Sequence, residues 1–230
     1  MSGHAKGPTR VVMVHPPLVR VVHWLNVIAI FIMVGSGWRI YDNVPIFHWL
    51  TFPIWLSIGG DPEITYRHNG DTGFSNALLW HFAAMWLLVL NGLVYLAYGI
   101  AAGRFRMKLF PLSPRAVLRD MIAAATFKLD HDDISKYNAV QKLLYLGVLC
   151  ILALVVISGL AIWKPVQFWW LTNLLGGFQG ARLVHFLCMS AIVAFVVIHV
   201  SLAILVPSTI KAMITGKARV PADTPPRAAE

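Results

Sequence analysis

The chain reads as an all-α integral membrane protein: a four-helix bundle with interfacial segments in the connections on one side. Three observations predict this. Of 230 residues 58% are hydrophobic and 13% charged, far from the balance of a water-soluble domain. Four apolar runs are long enough to span, about Val21–Tyr41, Ala77–Gly99, Ala139–Trp163 and Arg182–Val206, since a crossing helix needs about 20 apolar residues. Basic residues collect in alternate connections. Residues 1–230 are accordingly read as one membrane-embedded domain.

Each element follows in order. Lys6, Arg10 and Arg20 precede the first span with no acidic residue among them. The connection Asp42–Asn76 carries Asp42, Asp61, Glu63 and Asp71 against a single base, Arg67. Within it the apolar stretch Pro45–Ile58 is broken by Pro53 and is too short to cross, which suits an interfacial or re-entrant segment. Between spans two and three lie Arg104, Arg106, Lys108, Arg115, Arg119, Lys128 and Lys136. The run Phe168–Phe178, with Trp169 and Trp170, has the look of an aromatic belt. After span four come Lys211, Lys217, Arg219 and Arg227. The positive-inside rule then puts both termini and the central connection in the cytoplasm of a bacterial inner-membrane protein. The net charge of +9 is explained by topology and anionic lipid rather than nucleic acid. The first apolar run is too long for a cleavable signal and lacks a small-residue cleavage site, so it is expected to stay.

Several chemistries lack their residues. There is no C-x-x-C-H for covalent haem, no Walker loop and no G-x-G-x-x-G after a strand. No Asp or Glu occurs between Ala77 and Met107 or between Ile134 and Pro221, and span one has none either. A proton-coupled pump normally needs an intramembrane carboxylate. Cys150 and Cys188, inside spans three and four, read as small packing residues.

Histidine carries the chemical signal. His185 and His199 stand fourteen residues apart in one apolar run, nearly on one helix face and about 21 Å apart along the axis. His23 and His81 lie in spans one and two. With the orientation above, His23 and His199 fall at the cytoplasmic level, His81 and His185 at the periplasmic level. A lone membrane histidine is usually hydrogen-bonded across helices. Four at two matched depths instead fit two haems, each held between neutral imidazoles, a ligation that leaves no open position and suits electron transfer. Zinc or copper would want its ligands clustered at one level. Gly37, Gly92, Gly147 and Ser158 are spaced to offer bare helix faces at both levels, or simply close helix packing. Met33, Met85 and Met189 read as packing residues, and His4, His15, His48, His68 and His131 lie outside the spans. Arg20, Arg39 and Arg182 stand near the surfaces, where they can meet haem propionates or anchor the interface.

The patterns R-x-x-H-W-x-N at Arg20–Asn26, W-H at Trp80–His81, K-Y-N-x-x-Q-K at Lys136–Lys142, S-G-x-x-I-W at Ser158–Trp163, and R-x-x-H with a histidine fourteen on, resemble the prokaryotic cytochrome b561 superfamily. That group includes the b-type subunits of nickel–iron hydrogenases, formate dehydrogenases and thiosulfate reductases. The resemblance runs from about His15 to Met213 and includes all four histidines. It implies two haem b groups and electron transfer between a membrane quinone, ubiquinone or menaquinone, and a periplasmic oxidoreductase, a molybdopterin enzyme or a hydrogenase. It also implies a quinone site beside the opening of span three, at Asn138, Gln141 and Lys142; Asn138 can equally cap that helix and Lys142 snorkel to headgroups. The rival is a stand-alone superoxide:quinone oxidoreductase of the same superfamily, fed by a small reductant. A transporter without haem is a third reading.

Overall fold

A membrane interior obliges each backbone polar group to bond within its own helix, and the long apolar runs do so. The computed structural model describes residues 9–60, 73–103 and 139–221, with the backbone alone at 139–141 and 219–221. Among the described residues four helices are long and apolar enough to cross a membrane. They are α1 (Pro17–Asn43), α2 (Phe74–Ala101), α3 (Ala139–Trp163) and α5 (Gly177–Leu205), with a short α4 (Trp169–Leu174) and a nine-residue α6 (Pro207–Thr215). At 25 to 29 residues each, they reach roughly 37–44 Å, more than the ~30 Å hydrocarbon layer. Helix α1 begins four residues before the expected span, at Pro17, because proline is pre-set for a first helical position. Helix α5 begins at Gly177, five residues earlier than expected, after Gly176 and Gly177 turn the chain with φ of 85° and 80°.

Large apolar side chains such as Phe31, Leu79, Ile100 and Ile204 are exposed, as lipid contact requires. The buried residues are mostly small: Ala29, Ala77, Ala84, Ala161 and Ala181. Helices pack on such positions because lipid gives no hydrophobic drive for association, so close approach must supply it.

The chain divides into two compact units. One comprises Val21–Tyr95 and Leu152–Ala194. Here the stretch after α1 folds back along that helix as a re-entrant segment, with only a 3-10 turn at Ile54–Leu56. Ile58 N–H donates to the Gly35 carbonyl (3.0 Å), eight residues inside the end of α1. Phe52 stacks on Trp38 at 4.7 Å and 7°, and its N–H donates to Asp42 Oδ1 (3.1 Å). Helix α4 is the expected aromatic segment: Trp169 and Trp170 are exposed, while Leu171 packs with Ala161 and Ala181, and Thr172 Oγ1 donates to the Ala161 carbonyl (3.2 Å).

The other unit comprises Met1–Arg20, Leu96–Ile151 and Phe195–Glu230. It adds a feature absent from the all-α expectation, a two-stranded antiparallel sheet in which β1 (Thr9–Met13) pairs with β2 (Lys217–Pro221), Thr9 opposite Pro221 and Met13 opposite Lys217. The pairing brings the two terminal segments together. Gly216, at φ 80°, caps α6 and turns the chain into β2, a left-handed conformation that favours glycine.

The tight fit of the re-entrant segment is open to test. A first side-chain carbon at Gly35 would lie 2.9 Å from Ile58 Cγ1 and 3.2 Å from the Leu56 carbonyl. Gly35→Val is therefore expected to lift this segment off α1. A cysteine placed at Ser57 should then react several-fold faster with a water-soluble maleimide than the same cysteine beside the native glycine.

Candidate functional site

Helices α2 and α5 each project one histidine into an apolar cavity. His81 and His185 line it together with Ile30, Met33, Val34, Leu88, Leu152, Val155, Met189 and Ile192; it is narrow, about 40 Å³, and partly open to the outside. Their ring centres are 6.3 Å apart and their planes cross at 62°. A metal bound by imidazole lies about 2.0–2.1 Å from the ligating nitrogen. Two imidazoles sharing one metal would have ring centres about 6 Å apart, close to the spacing of these two.

The remaining ring nitrogens are engaged. His185 Nδ1–H donates to the Val155 carbonyl (2.9 Å), with Ser158 Oγ a second acceptor at 3.2 Å. His81 Nδ1 meets Ser36 Oγ at 3.0 Å. The Ser36 hydroxyl proton is already directed to the Ile32 carbonyl (2.7 Å), so Oγ accepts from the imidazole. With Nδ1–H bonded in each ring, Nε2 is the nitrogen left to donate a lone pair to a metal. Among the described residues no group of three or more His, Cys, Asp or Glu could hold an ion. His81 and His185 would suit a metal already carried in a macrocycle better than a tetrahedral zinc ion, which needs more protein ligands than these two.

The small residues expected to offer bare faces divide into two groups. A Cβ at Gly37 would lie 3.5 Å from His81 Cε1, and Ser158 bonds His185; both sit against an imidazole. Gly92 and Gly147 face open space. The sequence reading missed Ser36 and Gly159, whose added Cβ would stand 3.3 Å from His185 Cε1. The S-G pair common to both places, at Ser36–Gly37 and Ser158–Gly159, was a legible signal. It also missed Asn91, which is buried and donates to the Val22 carbonyl (2.8 Å) and Asn26 Oδ1 (2.7 Å), tying α2 to α1 one turn from His23.

The other candidate residues are placed as follows. His23 meets Trp24 edge-on at 5.4 Å, in the unit that holds His81 and His185. His199 lies in the other unit, stacked on Phe195 at 5.6 Å and 10°. Arg39 is buried one turn beyond Ser36 on α1, beneath Gly59 and Gly73, where added Cβ atoms would lie 3.1 Å from its Cγ and 3.3 Å from its Nε. Arg182 Nη1 donates to Gln179 Oε1 (2.9 Å) and its Nη2 to the Val44 carbonyl. Arg20 Nη2 donates to the Ile214 carbonyl, in the last turn of α6, where a cation complements the helix end. Lys142 is partly buried near the start of α3. Gln141 is described by its backbone alone, and Asn138 lies outside the described residues.

A four-helix membrane protein with two opposed imidazoles in an apolar cavity is of the class of membrane-embedded haem cytochromes. The family model for prokaryotic cytochrome b561 matches residues 14–216. A similar protein is the putative protein-methionine-sulfoxide reductase subunit YedZ1 of Azospira oryzae, 49% identical over 203 residues, which cover 88% of this chain and 96% of that one. The chain belongs to the prokaryotic cytochrome b561 family, membrane proteins that bind b-type haem and carry electrons.

The buried amide contact gives a prediction. Asn91→Leu removes both hydrogen bonds and strands Asn26 in a membrane interior, where such contacts contribute about 0.6–2 kcal/mol. Thermal unfolding in detergent should begin at a lower temperature than for the native chain, with Asn26→Leu/Asn91→Leu recovering part of the loss.

Proposed function

We propose that this chain is the dihaem membrane subunit of an oxidoreductase, taking electrons from a quinol and delivering them to a periplasmic partner that reduces methionine sulfoxide. The observation that carries this reading is the opposed pair His81–His185, with ring centres 6.3 Å apart and both Nδ1 atoms turned into the protein. The partner is suggested by the relative described as a subunit of a protein-methionine-sulfoxide reductase. Sulfoxide reduction to a thioether takes two electrons and two protons and releases water. A quinol supplies two of each, so electrons run from quinol to partner.

Haem iron held between two imidazoles carries one electron at a time between its ferric and ferrous states and offers no open position to oxygen. The chain supplies the rest. His81 and His185 hold the outer haem, and His23 and His199, at the other depth, hold the inner one. Arg39 and Arg182, each one turn from a residue at the outer site, are the cations for its propionates. Arg20 serves the inner haem: it lies one turn before His23, and its buried Nε has no acceptor among the described residues. The quinone, ubiquinone or menaquinone, is assigned to the start of α3. There Asn138 and Gln141 hydrogen-bond its carbonyls and Lys142 exchanges protons with water. The positive-inside pattern puts this end in the cytoplasm and the re-entrant segment on the periplasmic side.

The direct test supplies membranes containing the chain with a quinol, a catalytic protein-methionine-sulfoxide reductase subunit and methionine sulfoxide. Quinol oxidation is expected to depend on all components and to stop in His81→Ala. Reduced haems that stay reduced when the catalytic subunit and sulfoxide are added would overturn the assigned partner.

Ligation has its own prediction. His81→Ala and His185→Ala are expected to lose the same haem, and His23→Ala and His199→Ala the other, each falling from two haems to one per chain in a pyridine haemochrome assay. Loss of one haem by His23→Ala and His81→Ala alike would break the pairing.

Gln141→Leu keeps side-chain bulk and removes a donor and an acceptor. Weaker quinone binding by ~1–3 kcal/mol, about five- to a hundredfold, is expected. Both haems should remain, while quinol-dependent reduction slows at low quinol. Unchanged kinetics across a quinol titration would move the site elsewhere.

A further inference from the structure

The cavity of His81 and His185 is built twice over from one local pattern. Helix α1 carries Met33-Val34-Gly35-Ser36-Gly37 and α3 carries Val155-Val156-Ile157-Ser158-Gly159. In each, a serine with no exposed surface sits behind one imidazole: Ser36 Oγ at 3.0 Å from His81 Nδ1, and Ser158 Oγ at 3.2 Å from His185 Nδ1. Each hydroxyl donates to the carbonyl four residues back, Ser36 to Ile32 (2.7 Å) and Ser158 to Leu154 (2.8 Å). With its proton so engaged, each Oγ faces the imidazole with lone pairs only. The glycine that follows each serine lets the ring lie against the helix, the prospective Cβ contacts being 3.5 Å at Gly37 and 3.3 Å at Gly159.

We infer that Ser36 and Ser158 are positioning residues that tune the outer haem through its two ligands: each accepts from Nδ1–H, Ser158 alongside the nearer Val155 carbonyl (2.9 Å), and so strengthens the bond that leaves Nε2 for the metal and sets the imidazole plane. The inference rests on the reading that His81 and His185 hold one haem. Its physical basis is the outer-shell effect on metal ligands, since an acceptor on the far nitrogen makes the imidazole more basic and orients its ring. A more basic ligand favours ferric over ferrous iron. The two serines therefore hold the outer haem's potential down and leave the inner haem untouched. Serine in a mid-helix position competes for its own backbone; here that competition is what turns its lone pairs toward histidine.

The experiment uses the full-length holoprotein in detergent, read by spectroelectrochemical titration and by electron paramagnetic resonance of the oxidised haems. Ser36→Ala and Ser158→Ala are expected to keep two haems per chain. One midpoint potential should rise, that of the haem lost in His81→Ala, and the other should stay. The low-spin ferric signal of the same haem should shift as its imidazole planes turn. Threonine and valine at each position separate the hydroxyl from volume, since they differ by that group alone in nearly equal size. Thr variants are expected to hold the native potential and Val variants to follow Ala, or to lose the haem if Ala does. Equal behaviour of Thr and Val, or native potentials in both Ala variants, would overturn the inference and reduce the serines to packing. Retention of both haems in His81→Ala would instead remove the ligation reading beneath it, a separate and distinguishable outcome.

Discussion

A polar side chain inside a hydrocarbon layer has only the protein to bond to, and the arrangement around His81 and His185 follows from that constraint. An unsatisfied imidazole nitrogen there is costly, as is an unsatisfied hydroxyl. Ser36 and Ser158 answer both demands. Each returns its proton to its own helix and turns its oxygen to a histidine on a neighbouring one. Each ring is engaged through Nδ1, and both rings line the cavity. The same rule governs Asn91, whose amide is bound by the Val22 carbonyl and Asn26. Polar residues in these helices are therefore both structural ties and the means by which ligands are aimed.

Small residues are the second half of the arrangement. A histidine can reach a serine on a neighbouring helix only where that helix presents no bulk, and Gly37 and Gly159 supply this. Gly35, two residues before Gly37, makes room instead for the re-entrant segment at Ile58. Three positions within one helical turn of α1 thus serve the ligand of one helix and the return of a loop, which couples the outer connection to the ligand cavity. Arg39, one turn further and covered by Gly59 and Gly73, extends the same face toward the surface.

Much of the fold was legible in the residues. The run lengths gave four crossings, and the interruption at Pro53 gave a segment that does not cross. The helix ends were less so: Pro17 and Gly177 extend α1 and α5 beyond their most apolar cores. At the site, span direction and position pair His81 with His185 in the sequence, and their ring centres lie 6.3 Å apart. Gly37 and Gly92 looked alike by spacing, yet one touches an imidazole and the other nothing within 4 Å. Spacing along one helix says which face a residue occupies, and only the neighbour decides what that face is for.

The sequence by itself determined what depends on one helix at a time. That covers the four long apolar helices and which of them carry the histidines. Hydrocarbon imposes these demands locally, residue by residue along an axis rising about 1.5 Å each. Tertiary structure alone decided which nitrogen of each imidazole is engaged, which serine engages it, where the Pro45–Ile58 stretch returns, and that β1 and β2 pair. Those contacts join residues 27 apart for Ser158 and His185, 45 for Ser36 and His81, and 69 for Val22 and Asn91. They depend on the rotation and approach of separate helices, which side-chain shape and hydrogen bonding settle together and no single stretch of chain encodes.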